Sequence, residues 1–90
     1  MARFLFFNSA NGMLVRSAEL SGEMTNEQAF SACFPGVSGI KLDAVTVVGP
    51  MSDKESADVD DGCKGGKIPC LAGGNVDFMP AKEWTPGGGL

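Results

Sequence analysis

Apolar and aromatic residues run together at the start of the chain, over Phe4-Leu5-Phe6-Phe7. A strand with one face in water alternates apolar and polar positions. An unbroken run therefore means two covered faces, with the second closed either by the chain itself or by a partner. Asn11-Gly12 follows, a strong hairpin turn signal. Residues 13–18 then read as the returning strand. Thr25 and Gln28 have capping-box spacing. They open a predicted helix over 26–33 that carries Ala29, Phe30 and Cys33 on one side, and Pro35-Gly36 stops it. So short a helix is unstable alone and must pack on the hairpin. Residues 39–48 begin as alternating Ile40, Lys41, Leu42, Asp43 and Ala44 and end in Val45-Thr46-Val47-Val48, which predicts a central strand closed by Gly49-Pro50.

The pattern weakens after Pro50. Residues 51–67 hold Asp53, Glu55, Asp58, Asp60 and Asp61 and run into Gly65-Gly66, so they are predicted as loop. Ile68–Leu71 and Val76–Met79 are short apolar pieces suited to edge strands. Residues 80–90 carry Pro80, Trp84, Pro86 and three consecutive glycines, which propagate neither helix nor strand. The predicted fold is small α+β, mainly β. An N-terminal β-hairpin and a central strand, with one short helix, form a core over 1–50. A loop-rich extended segment over 51–90 belongs to the same domain and leans on a partner. No internal repeat is present.

Composition sharpens this picture. At 90 residues with 13 glycines, the core is small and the entropy of ordering the backbone is high. A net charge of −4 repels phosphate backbones, and the seven basic residues are scattered, so nucleic acid is not an expected partner. No apolar run approaches the roughly 18 residues of a membrane-spanning helix. The opening apolar run is also too short for a cleavable signal, which predicts synthesis in the cytoplasm without export by one. There is no histidine and no tyrosine. The commonest general base, the Ser-His and Cys-His pairs and histidine metal sites are thereby removed. No catalytic residue and no cofactor is expected, and the chain is read as a non-enzyme.

Three cysteines are present, Cys33, Cys63 and Cys70. Cys33 fits a buried helix position. Cys63 and Cys70 bracket a loop that a disulfide can close in an oxidising compartment, although the odd third cysteine speaks against a dedicated framework. Lys64 beside Cys63 can activate that thiol mildly, but an ordinary loop thiol is the simpler reading. Their spacing is too wide for a zinc pair. Asp58-Val-Asp-Asp-Gly62 looks like a calcium loop, yet Gly62 falls one position early and Ile68-Pro69 stand where an acidic ligand belongs, so no metal site is assigned.

The opening Met-Ala-Arg-Phe-Leu-Phe-Phe-Asn, its Asn-Gly turn and Met-Leu-Val-Arg resemble the start of small structural proteins of tailed bacteriophages, the short chains that decorate or cement capsids. The resemblance covers about the first quarter of the chain. It implies a non-catalytic structural protein, located in the virion, that binds a repetitive capsid lattice or assembles with itself. On that reading the partner-binding residues are Trp84, Pro86 and Leu90 in the tail, with Phe4 and Phe6 if one hairpin face is open. Trp84 can equally fold onto its own small core. Two alternatives stand beside it: a small acidic inhibitor or adaptor that binds a host protein through residues 53–61, and a small metal-binding module.

Overall fold

The computed structural model describes residues 1–35 and 42–89. Strand β1 (Ala2–Asn8) is the centre of a three-stranded antiparallel sheet, flanked by β2 (Leu14–Leu20) and β3 (Val45–Val48) in the order β2-β1-β3. Helix α1 (Asn26–Cys33) packs on one face and helix α2 (Asp53–Lys64) on the other. A second sheet, the hairpin β4 (Lys67–Ala72) and β5 (Asn75–Pro80), lies on the α2 side. Helix and strand take about equal shares of the described residues, so the α+β class stands and the predominance of β does not.

The unbroken apolar run of β1 is explained by this layering. Phe4 and Phe6 point to the α1 face, where they pack with Ala29, Cys33 and Val45. Leu5 and Phe7 point to the α2 face and meet Met51 and Val59. All four residues of the run are fully buried, so the chain itself closes both faces. Two thin cores share one strand, which is how a chain of 90 residues buries three phenylalanines without a disulfide.

Helix α1 begins at the expected capping box: the Thr25 hydroxyl accepts from Gln28 N and the Gln28 side chain accepts from Thr25 N. Arg16 closes its other end by donating to the Cys33 carbonyl at 2.8 Å. The central strand is shorter than predicted. Leu42–Ala44 form a 3₁₀ turn and only Val45–Val48 pair with β1, while the 39–41 part of the expected strand lies outside the described residues.

The short strands expected at 68–71 and 76–79 are present as β4 and β5, and the largest departure is residues 51–67, expected as loop. Ser52 and Glu55 make a second capping box, and the chain runs helical from Asp53 to Lys64. Its acids in the first turn suit the positive end of the helix, and Lys64 suits the negative end. Gly65 N then donates to Asp61 O and Gly66 turns at positive φ. Gly73 and Gly74, both left-handed, make the tight turn of the β4–β5 hairpin. Pro69 and Pro80 fall at positions of that hairpin where no ladder N–H is required, since Ala81 N bonds Gly66 O and the bonded pairs alternate from there.

Candidate assembly surface

The residues first expected to bind a partner are held by the chain itself. Phe4 and Phe6 have no exposed surface, because α1 and β3 cover them. Trp84 is half-buried, and its indole N–H donates to the Leu14 carbonyl on β2 at 2.8 Å. The glycine tail is ordered by the same body. Gly88 is buried, and its carbonyl accepts from Asn8 Nδ2 at 2.9 Å and from Asn11 Nδ2 at 3.0 Å. Asn8 is itself buried at the end of β1. A Cβ on Gly88 would stand 2.9 Å from Val15 and 3.1 Å from the carbonyls of Met13 and Leu14, and its φ is +66°, so only glycine fits there. Pro86 is exposed, and Leu90 lies outside the described residues.

The acidic stretch 53–61 is a helix face, not a calcium loop. Asp60 pairs with Arg3 at 2.9 Å, and Arg3 also reaches the Ser56 carbonyl. Glu55 is held below the usual carboxylate range, first by the hydrogen bond from Ser52 N and then by its contact with the Ser52 hydroxyl. Asp58 and Asp61 are exposed. Among the described residues no group of three or more acids and cysteines is placed to hold a metal ion. Cys33, Cys63 and Cys70 are free thiols, with Cys63 exposed on the last turn of α2 and Cys70 half-buried on β4. Burial, and secondarily the Asp77 carboxylate across the hairpin, push the Cys70 thiol up. A cavity of about 180 Å³ lies between α2 and β5, floored by Met51, Val59, Val76 and Phe78 and rimmed by Glu55 and Asp58. It holds no nucleophile and base in contact.

What remains is backbone at the strand edges. Each edge can be followed from the ladders. The outer edge of β4 is occupied: Leu71 N donates to Gly12 O at 2.8 Å and Cys70 bridges to Met13. The outer edge of β5 is guarded over its second half, where Phe78 N is bonded by its neighbour Asp77 and Pro80 has no N–H to offer, which leaves Val76 as the one β5 residue that turns an N–H outward. Strand β3 is only four residues long. The first part of β2 is covered by Trp84 and Gly88.

The second part of β2 is different. Ser9 N bonds Ala44 O and Met51 N bonds Arg3 O, so the odd residues of β1 bond toward β3 and the even ones toward β2. Ala18 and Arg16, opposite Phe4 and Phe6, are therefore the bonded partners on β2. Ser17 and Glu19, opposite Leu5 and Arg3, turn their N–H and C=O outward. Both residues are exposed, and among the described residues nothing bonds their backbone. Sequence reasoning named large side chains as the binding residues and neither Ser17 nor Glu19, because an edge is made of main chain and carries no side-chain signature. No described helix is long and apolar enough to cross a membrane. No family model, curated protein or solved structure matches the chain.

Proposed function

We propose that this chain is a non-catalytic structural protein of the virion decoration or cement kind, which binds a capsid lattice or a second copy of itself through the open edge of β2. The observation that carries the reading is the outward backbone of Ser17 and Glu19, in a fold where the other edge of the same sheet is short and the edges of the β4–β5 hairpin are occupied or guarded. An edge of this kind recognises an extended strand by main-chain hydrogen bonds. The phage-like opening over residues 1–16 supports a capsid setting. The absence of histidine, and the lack of a nucleophile beside a base in the α2–β5 cavity, support a role without chemistry. Nucleic acid remains an unfavoured partner for a chain of net charge −4.

A second reading draws on the exposed acids of α2. Asp53, Asp58 and Asp61 stand outside the Arg3–Asp60 pair and give α2 a negative outer face that suits a basic protein surface. Light scattering over a concentration series separates the two. Assembly through β2 gives an association that salt barely changes and that Ser17→Pro removes. Binding through α2 is salt-sensitive, is untouched by Ser17→Pro and is lost in Asp58→Asn/Asp61→Asn. A chain that stays monomeric throughout, with freely exchanging Ser17 and Glu19 amides, counts against the strand-edge reading.

A further inference from the structure

We infer that the strand added to the β2 edge is β2 of a second copy, paired antiparallel about a twofold axis at Ala18. This rests on the strand-edge reading above and names its partner. A twofold pairing must place outward-bonding residues opposite one another, which leaves three registers. Ser17 opposite Ser17 would carry the pairing into Val15, where β2 bulges and Gly88 covers it. Glu19 opposite Glu19 would set like charges face to face and reach past Leu20, the end of the strand. Only Ser17 opposite Glu19 keeps the pairing within the open stretch Arg16–Leu20.

In that register the outward groups of Ser17 and Glu19 bond their counterparts twice over, once on each side of the axis. Ala18 meets the second copy's Ala18 as a close, non-hydrogen-bonded pair, with Cα atoms about 4.5 Å apart. A small side chain at the axis lets the two backbones approach. Leu20 lies across from the stem of Arg16, whose guanidinium is already engaged by the Cys33 carbonyl. The product is one continuous sheet of six strands, β3-β1-β2 followed by its twofold mate. It ends on a four-residue β3 at each side, which closes the assembly as a dimer.

The test uses the full chain with Cys63 and Cys70 changed to serine. Ala18→Cys in this background should form a disulfide-linked dimer under mild oxidation, whereas Arg16→Cys, which opposes Leu20, should not. Charge changes at exposed Ser17 read the register without disturbing the core. Ser17→Lys, set opposite Glu19 on both sides of the axis, should tighten the dimer and Ser17→Glu should loosen it. Each effect should be roughly two- to thirtyfold in the dissociation constant measured by sedimentation. Association without an Ala18–Ala18 bond, or growth beyond a dimer, would overturn the twofold register and leave the edge reading intact. Absence of any association up to roughly millimolar concentration, where even small interfaces register, would overturn both.

Discussion

Replacing Gly62 by alanine sets two effects of opposite sign against each other. Gly62 lies in the last turns of α2, and glycine there is about 1 kcal/mol less favourable than alanine. On helix propensity alone the substitution should stabilise the protein. The packing says otherwise, because a Cβ at this position would sit 2.3 Å from Phe78 Cε1 and 2.7 Å from Cδ1. The Phe78 ring must move, and overpacking of this kind costs about 1–3 kcal/mol. The ring is half-buried beside the α2–β5 cavity, which gives it somewhere to go and puts the penalty toward the lower end. Gly62→Ala should therefore change stability by between roughly zero and 2 kcal/mol, in the destabilising direction. In a Phe78→Ala background the clash is gone, and the same substitution should stabilise by up to about 1 kcal/mol. Urea denaturation of the four proteins of the cycle measures the coupling, expected at about 1–3 kcal/mol. If Gly62→Ala stabilises both backgrounds equally, α2 does not seat on β5 through this glycine.

Other outcomes follow from the caps, the thiols and the tail. Ser52→Ala removes the N-cap of α2 and should lower stability at neutral pH by about 1 kcal/mol in chemical denaturation. Glu55 titrates below its ordinary range only when folded, so its stabilising contribution is present above that range and fades as the pH falls through the lowered value. Ser52→Ala keeps the larger cause, the Ser52 N–H, and the cap bond it removes does not titrate, so wild type and variant should lose stability together in acid with the gap between them only slightly narrowed. A maleimide followed by mass spectrometry should label exposed Cys63 first. Cys70 should follow, slowed by its burial and by Asp77, with buried Cys33 last; prompt labelling of Cys70 at neutral pH would contradict the hairpin placement. Asn8→Ala deletes the buried amide that holds the Gly88 carbonyl and should cost about 1–3 kcal/mol, with the emission of Trp84 moving to the red as the tail loosens.

The sequence states its local signals well and its long-range closures poorly. The hairpin, the Thr25–Gln28 cap and the span of α1 could be read directly, since each rests on residues within a few positions of one another. The second capping box, Ser52 with Glu55, has the same spacing and was there to be read. It was hidden by Gly62, Gly65 and Gly66, which make residues 51–67 look like loop. Gly62 carries no loop meaning. It is the position where β5 approaches α2, a contact between elements that no window of sequence displays. The glycines of the tail mislead in the same way: Gly88 is small because β2 lies against it, not because the tail is free.

The candidate site follows a different logic. Large exposed side chains are the usual signature of an anchor, so Trp84 and the phenylalanines attracted attention. In this fold those side chains are needed at home, where the core is thin and Trp84 must hold the tail onto β2. A chain this small has few large residues to spare for a partner. Its exposed face among the described residues offers one large apolar side chain, Met1, and otherwise polar groups and main chain. If such a protein assembles, the inexpensive means left to it is the ladder already running through its sheet, extended by one strand. That places the selective pressure on keeping one edge open and the rest shut. Asp77 on Phe78 N, Pro80 at the end of β5 and the tail over Leu14 shut theirs, and Ser17 and Glu19 have no such cover.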